Sequence, residues 1–268
     1  MRQYQKHWEI GEHVKLEADL RLWDVRDKLI IGDRTVVGRN VILKGRHIEI
    51  GRECWLAQNS SIGGGDCFHP RSKLVAGDWL HLGQYAHINI ARSVEIGDEV
   101  GLGRGTCIYT HGAYLPAWEG FPVYFEDVKI GNRVWLPNAQ VNPGVIIGNN
   151  VVVSAMSLVH HNLPDGCSAG GVPARVFREN KYPREITFDE MCDLASDLSN
   201  ACEFKVNFGW RTDDHYLHIF GSEIVFVMNA REIRGEVTKE TEKLKDELRR
   251  RGIRFKYKIQ GRKYVPWD

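Results

Sequence analysis

The residue best suited to chemistry in this chain is a histidine at the start of an aromatic-rich stretch. His111 directly follows the short segment 108–110, and the residues from 111 to 128 are rich in aromatic side chains and proline. A neutral imidazole near pH 7 can take a proton from a hydroxyl or an amine as that group attacks an acyl carbon. Since the chain holds 11 histidines, position alone also allows an ordinary surface histidine. We therefore treat His111 as a candidate general base.

The elements that must position His111 follow a six-residue repeat. Aliphatic residues recur at every sixth position, and a glycine or another small residue often comes next, which lets the chain turn without a Cβ clash. A period of six is typical of a β-helix in which three hexads, roughly 18 residues, close one triangular coil. The longest run and two further runs are Ile50, Leu56, Ile62, Phe68, Leu74 and Leu80; Ile96, Leu102 and Ile108; and Ile147, Val153 and Val159.

The repeat breaks at three places. The stretch 108–130 loses the hexad pattern, which predicts a loop insertion at 111–128. The step 130–147 is one short of three hexads, so we expect a corner near 137–138 to have lost one residue. The step 82–96 also falls short of three hexads, which predicts an irregular coil.

The repeat and its loss divide the chain into three parts. Residues 1–29 have a weaker repeat and are expected to form an N-terminal cap or edge coil, because the end of a solenoid must shield its core. Residues 30–180 are expected to form a parallel β-helix. Residues 181–268 lack the repeat and are expected to form a small α+β domain.

Several local patterns predict the elements of this last part. A capping box at Thr187–Glu190 predicts one helix, and residues 237–251 predict a second. Gly221-Ser222 between two apolar runs predicts a hairpin. The alternation over 253–259 predicts a half-buried strand.

Composition narrows the class of protein. The chain has 268 residues and a formal net charge of +1, which favours neither nucleic acid nor a membrane surface as a partner. Its six cysteines lack a C-x-x-C spacing, so free thiols in a reduced compartment are expected. No apolar run reaches the length of a membrane span, and the first residues lack the apolar core of a signal peptide. These features predict a soluble cytoplasmic protein.

Residues 94–178 resemble the maltose, galactoside and polysaccharide O-acetyltransferases, a branch of the left-handed β-helix acyltransferases. The resemblance rests on three motifs in this order: Ile-Gly-x-x-Val-Trp at 130–135, Asn-Pro-Gly-Val-x-Ile-Gly at 142–148 and Gly-x-Pro-Ala-Arg-Val at 171–176. It implies a left-handed parallel β-helix, a homotrimer with active sites in the grooves between subunits, and acetyl-CoA as donor. No metal is expected, because the spacing of His69, His81 and His87 does not match the zinc pattern of carbonic anhydrases with this fold.

The resemblance also implies roles for residues of the acceptor side. His111 matches the family's general base, and Asn89 matches an asparagine that holds the acceptor, although a corner asparagine in left-handed conformation is an equal alternative. Glu119, or alternatively Glu126, stands for a loop glutamate that orients the histidine ring. Tyr114 and Trp118 of the loop are assigned to acceptor binding.

On the donor side the resemblance implies contacts with CoA. Arginine suits the phosphates because its planar fork can bind a phosphate through two nitrogens, though a solvated face is the alternative. Members of the family commonly have Thr-Lys where this chain has two histidines. The expected donor-binding residues are Trp135, Asn138, Ala155, Val159, His160, His161, Arg175 and Arg178.

The function predicted from these features is acetyl-CoA-dependent O-acetylation of a sugar or sugar-containing precursor, as in polysaccharide or lipopolysaccharide synthesis. N-acetylation of a nucleotide-linked amino sugar is one alternative, and a non-catalytic β-helix that binds glycans or partners is another. An aspartate that relatives carry near the acceptor asparagine is absent, because Ala91-Arg92-Ser93 stands there. Residues 238–268 hold 11 basic and 5 acidic residues, a balance of +6, which suggests a nucleotide- or lipid-linked anionic acceptor. A solvated helix and an edge strand protected by lysines are the alternative explanation.

Overall fold

The chain folds into two compact units that divide between Arg184 and Glu185. The structure is a computed structural model and describes residues 7–17, 19, 22–211 and 214–267. In the described part of the first unit, short strands follow one another, and a 3-10 helix, Ala117–Glu119, interrupts them.

The strands of the first unit are β1 (Trp8–Ile10), β2 (Lys15–Leu16), β3 (Trp23–Ile31), β4 (Val36–Val37), β5 (Ile42–Ile50), β6 (Trp55–Leu56), β7 (Ser61–Gly63), β8 (Lys73–Ala76), β9 (His81–Leu82), β10 (His87–Asn89), β11 (Ser93–Ile96), β12 (Gly101–Leu102), β13 (Cys107–Ile108), β14 (His111–Gly112), β15 (Tyr124–Phe125), β16 (Val128–Ile130), β17 (Trp135–Leu136), β18 (Gln140–Val141), β19 (Ile146–Ile147), β20 (Val152–Val153), β21 (Leu158–Val159), β22 (Ser168–Gly171) and β23 (Ala174–Arg178).

These strands stack as three parallel faces. The first face holds β1, the second half of β3, the second half of β5, β8, β11, β16 and β19. The second face holds β2, β4, β6, β9, β12, β17, β20 and β22. The third face holds the first halves of β3 and β5, then β7, β10, β13, β18 and β21. The chain visits the faces in turn, so the predicted parallel β-helix is confirmed.

The aliphatic residue of each hexad points into the core. Ile62, Ile88, Ile108, Val141 and Val159 lie in register on the third face, and all are fully buried. Burying an aliphatic side chain of this size contributes about 1.5–3 kcal/mol relative to leaving it exposed. The stacked aliphatic rows therefore supply the main stabilising term of this unit.

One corner of the coils is held by a glycine that is followed in most coils by an aspartate or asparagine. The Oδ1 of Asp98, Asn132, Asn149 or Asp165 accepts a hydrogen bond from the backbone N–H of the equivalent residue one coil earlier, at 2.7–2.8 Å. The bond from the Asn149 backbone, followed by that from its side chain, holds the pKa of the Asp165 carboxyl below its usual value. The corner therefore satisfies backbone donors that the turn leaves without a strand partner.

The glycines of this corner allow the coils to approach each other closely, which gives a stability prediction. A Cβ on Gly51 would lie 2.5 Å from the backbone carbon and oxygen of Gly77. Gly51→Ala is therefore expected to lower the free energy of unfolding by about 1–3 kcal/mol, measured by urea titration. Gly112→Ala is the matched control, because its Cβ would meet only Tyr124, at 3.6 Å. Equal stability of the two variants would contradict this packing.

The structure corrects the hexad reading at one place. Ile50 pairs with Ala76 rather than with Leu74, so the coil between them is longer than three hexads. Residues 64–72 form an extension that contains no strand. The expectation of an unbroken repeat through Phe68 is therefore wrong. Phe68 and Leu80 are apolar and lie at multiples of six residues from Ile50, but this spacing is a coincidence.

The other irregularities are where the sequence predicts them. Leu102 pairs with Leu136 and Ile108 with Val141, so the corner at 137–138 is one residue shorter than its neighbour. Extra residues follow β10 and β13, at the same corner as the extension at 64–72. Three departures from the repeat are thus stacked at the corner between the third and first faces.

The second unit combines a four-stranded antiparallel sheet with two helices. Thr187 caps the first helix in a capping box, as predicted, and the predicted hairpin and second helix are confirmed. Its elements are α1 (Phe188–Cys202), β24 (Val206–Arg211), β25 (Asp214–Ile219), β26 (Val225–Val227), β27 (Glu232–Arg234), α2 (Lys239–Arg250), β28 (Lys258–Gln260) and β29 (Lys263–Val265).

The strand expected over 253–259 is wrong for most of its length. The strand in this region begins at Lys258, although the side chains of Phe255 and Tyr257 are buried as the alternation suggests. An extended chain can bury alternate side chains without pairing in a ladder, which explains the misreading.

No helix in the described part of the chain is long and apolar enough to cross a membrane.

Candidate active site

The corner between the third and first faces brings together residues from three coils. Asn89 ends β10, and His111 opens β14 one coil later, where it pairs antiparallel with Phe125 of β15. The extension at 64–72 contributes Gly64 and Gly65 from the coil before. The stacked irregularities therefore create the space in which these groups meet.

Asn89 fixes the tautomer of the neutral His111 ring. Asn89 is only 2% exposed, and its Oδ1 accepts a hydrogen bond from the backbone N–H of Ala91 at 3.2 Å. Because an N–H needs an acceptor, this atom is the amide oxygen, and the His111 Nδ1 that lies 3.0 Å away must donate to it. The neutral ring then carries its lone pair on Nε2.

Thr110 completes this network. Its hydroxyl lies 2.8 Å from Asn89 Oδ1 and accepts a hydrogen bond from the backbone N–H of Arg92 at 3.0 Å. Every member of the set is buried or partly buried. The bonds that meet at Asn89 Oδ1 hold the Asn89, Thr110 and His111 side chains in one arrangement, so the His111 ring is fixed before any substrate binds.

The free nitrogens of this network face the glycine turn. A Cβ built on Gly65 would lie 3.4 Å from His111 Nε2. A Cβ on Gly64 would clash with the Nδ2 of Asn89, and Gly64 has a φ of +97°, which only glycine adopts easily. The absence of side chains here leaves room in front of the lone pair for a small group.

An arginine that sequence reasoning did not assign to the site lies beside the same ring. The Phe125 ring stacks against His111 with centroids 5.9 Å apart, and the Arg92 guanidinium lies 4.4 Å from the Phe125 centroid. The Arg92 side chain is 12% exposed and pairs with Asp66 at 3.0 Å. Arg71 also pairs with Asp127 at 3.0 Å, so two ion pairs tie the extension to this corner.

The glutamates expected to orient the histidine do not do so in this structure. Asn89 is the partner of His111 Nδ1, while Glu119 lies exposed in the 3-10 helix. The side chain of Glu126 lies against Gly144, and its backbone N–H donates to the carbonyl of Thr110 at 3.0 Å.

The loop aromatics expected in acceptor binding project into solvent. Tyr114 is 98% exposed and Trp118 is 88% exposed. Neither lies against the His111 ring, whose aromatic neighbour is Phe125. In this chain taken alone, the tip of the loop is an exposed apolar surface.

Two expected donor residues lie on the second face and its corner. The Trp135 ring lies over the backbone of Gly101 on the neighbouring coil, because a Cβ on Gly101 would clash with it. Asn138 adopts the left-handed conformation with a φ of +52° at the shortened corner, and its amide lies 2.9 Å from Met156 Sδ. The shortened corner thus directs the Asn138 side chain along the stack.

The remaining expected donor residues lie on the last coils. Ala155 is exposed, whereas the Val159 side chain is fully buried and its carbonyl accepts from the Asn142 backbone. His160 is exposed, with Nδ1 3.0 Å from the Asn142 amide, and its ring contacts that of His161. Arg175 and Arg178 are exposed on β23, paired with Gly170 and Ser168.

Several basic side chains of residues 238–268 form ion pairs within the second unit, but of the pairs below only the one with Glu203 uses an acid outside this segment and lowers its balance of +6. Lys243 pairs with Glu203 at 2.8 Å and Arg251 with Glu247 at 2.9 Å. Lys245 also pairs with Glu242, at 2.7 Å. Exposed pairs of this kind contribute little to stability, but they reduce the field available to attract an anion.

Comparison with known proteins matches the repeat. A family model described as "Bacterial transferase hexapeptide (six repeats)" matches residues 127–161. The "Galactoside O-acetyltransferase" of Escherichia coli K12 is 29% identical over 150 residues, 53% of this chain and 68% of that protein. The "Putative lipopolysaccharide biosynthesis O-acetyl transferase WbbJ" of the same strain is 30% identical over 156 residues, 50% of this chain and 79% of that protein.

Among solved structures, AntD from Bacillus cereus, an N-acyltransferase in complex with dTDP and 3-hydroxybutyryl-CoA, matches with a TM-score of 0.48 at 19% identity. The match covers 65% of this chain and 90% of that chain.

Proposed function

This chain belongs to the hexapeptide-repeat acetyltransferases, and we propose that it transfers an acetyl group from acetyl-CoA to a hydroxyl of a sugar or sugar-containing precursor. The similarity to a galactoside and to a lipopolysaccharide O-acetyltransferase supports a sugar-related acceptor. The single observation that carries the mechanism is the His111 ring, held by Asn89 with its Nε2 lone pair towards the open glycine turn.

The proposed reaction is one direct transfer. The acceptor hydroxyl donates its proton to His111 Nε2 as its oxygen attacks the thioester carbon. The tetrahedral intermediate carries a negative oxygen, which a donor near Asn138 stabilises. The carbon–sulfur bond then breaks, the ester remains on the sugar, and the CoA thiolate takes the proton from the imidazolium. Since both substrates meet in one groove, no acyl-enzyme is needed.

The donor is proposed to lie along the last coils. Trp135, with its ring over Gly101, offers a flat apolar wall for the pantetheine arm. The exposed pairs His160-His161 and Arg175 with Arg178 offer donors for the phosphates.

The direct test combines binding and turnover. CoA at a hundred times its dissociation constant should stabilise the folded protein by about 2.7 kcal/mol, which a thermal shift detects. Release of free thiol from acetyl-CoA should then depend on an added sugar. The proposal would be contradicted if CoA caused no thermal shift and no hexose glycoside supported the release of thiol.

We further propose that the active form is a homotrimer, because the apolar loop tip bearing Tyr114 and Trp118 is exposed in one chain. Light scattering at assay concentration should give three times the 30.7 kDa chain mass. Replacing both aromatics with serine should shift the protein towards monomer, whereas His47→Ala, on the first face, should not. A fully active monomer would contradict the proposal.

A further inference from the structure

A second histidine lies beside the base and has no role in the reaction as described so far. His87 lies on β10 two residues before Asn89, so both side chains leave the strand on the same side. Its Nδ1 is 2.8 Å from the hydroxyl of Ser61, the residue in register on the preceding coil. The neighbouring coil therefore holds this ring in place.

The other nitrogen of His87 faces the same turn as the base. A Cβ on Gly64 would lie 3.3 Å from His87 Nε2, just as a Cβ on Gly65 would lie 3.4 Å from His111 Nε2. The Nδ2 of Asn89 faces Gly64 as well. Three nitrogens thus converge on a stretch of chain without side chains.

The ring of His87 acts as a neutral hydrogen-bonding group. Burial lowers the pKa of His87, and the nearby His111 lowers it further. The Ser61 hydroxyl can donate to Nδ1, and in that tautomer the proton of the neutral ring lies on Nε2, which makes Nε2 a donor. The two rings are then complementary, since His111 Nε2 accepts and His87 Nε2 donates.

We propose that His87 is a specificity-determining residue that donates a hydrogen bond to the acceptor oxygen next to the one acetylated, so that the preferred acceptor carries two neighbouring hydroxyls. The attacking hydroxyl must point its proton at His111 and leaves its neighbour within reach of His87. An isolated hydroxyl fills only one of the two positions. The inference rests on the proposed function, which it narrows to vicinal diols of sugars.

The extension at 64–72 gives this subsite its wall. The Asp66–Arg92 and Arg71–Asp127 pairs anchor the extension on both sides of the glycine turn. Such anchoring keeps the turn at a fixed distance from both rings. The added residues therefore serve acceptor recognition in this chain.

The experiment compares acceptors that differ by one hydroxyl. Methyl glycosides of galactose, glucose and mannose, and their monodeoxy analogues, are assayed with acetyl-CoA by thiol release. For the best glycoside, loss of the hydroxyl next to the acetylated one should lower kcat/KM roughly tenfold in the wild-type protein. In His87→Ala the ratio of kcat/KM for the glycoside to kcat/KM for its deoxy analogue should fall to about one, because the second hydroxyl no longer has a partner at residue 87.

Two further variants separate recognition from a structural effect. His87→Gln keeps a donor near the position of Nε2 and should restore part of the preference, whereas His47→Ala, a half-buried histidine of the first face, should leave the ratio unchanged. A ratio that is the same in wild-type and His87→Ala would overturn the inference while leaving the proposed function intact. If none of the glycosides supports thiol release, both the inference and the proposed function are overturned.

Discussion

Replacing His111 with alanine is expected to lower the turnover number of acetyl transfer about a hundredfold or more. The Nε2 lone pair is the group that faces the open turn, and its loss leaves no base at that position. The ring lies at the corner surface, outside the aliphatic core, so the fold should remain. Initial rates of thiol release at saturating acetyl-CoA measure the effect.

The controls for this variant are binding and stability. The melting temperature and the CoA-induced shift of His111→Ala should match those of the wild-type protein, which separates a lost proton acceptor from a lost site. His47→Ala removes an imidazole from another face and should keep full turnover. Near-normal turnover of His111→Ala would remove this residue from the mechanism and make His87 the candidate base.

The stack of the β-helix is the part that sequence predicts best. The period of six follows from the geometry of one strand and one corner, and Ile96, Leu102 and Ile108 lie where it places them. The missing residue at 137–138 is also visible in the sequence, because a shortened hexad shifts every later position by one.

The extension at 64–72 shows where this reasoning fails. Between Ile62 and Ala76, and between Ile88 and Ile96, the chain has more residues than a whole number of hexads. Apolar residues that lie at multiples of six from the preceding repeat can conceal these extra residues in the sequence. Leu74 does so, yet it pairs with Ile48 and not with Ile50. Only the pairing of coils separates a regular coil from one that carries an extension.

The candidate site shows the same limit. The sequence indicates that His111 leaves the coil after Thr110, but the partner of its ring is 22 positions away. That separation in sequence is the sum of one regular coil, the extra residues that follow β10, and the residues by which His111 lies beyond the position in register with Asn89. Periodicity alone therefore does not predict it. Phe125 and Arg92 reach the site through the antiparallel pairing of β14 and β15 and through an ion pair, which no spacing rule encodes.

The second large effect is expected at Asn89. Asn89→Ala removes the acceptor that holds the His111 proton on Nδ1, so the ring can adopt the wrong tautomer or turn away. Turnover should fall roughly tenfold to a hundredfold. The variant also leaves the Ala91 N–H without its partner inside the protein, which should lower the free energy of unfolding by about 1–3 kcal/mol.

A double-mutant cycle shows whether Asn89 acts through His111. If it does, His111→Ala and the double variant with Asn89→Ala should have the same residual rate, since residues that act as a unit are not additive. If the losses of rate in the two single variants multiply in the double variant, Asn89 has an independent role, such as a contact with the acceptor.

Asn89→Asp tests the tautomer argument by itself. The carboxylate keeps an acceptor for His111 Nδ1 and for the Ala91 N–H, so the stability lost in Asn89→Ala should be recovered. Its charge, however, stabilises the imidazolium over the neutral base. The acid limb of the kcat/KM profile should therefore move to higher pH, with turnover recovering towards the wild-type value at alkaline pH. A profile that does not move would mean that the ring bonded to Asn89 is not the base.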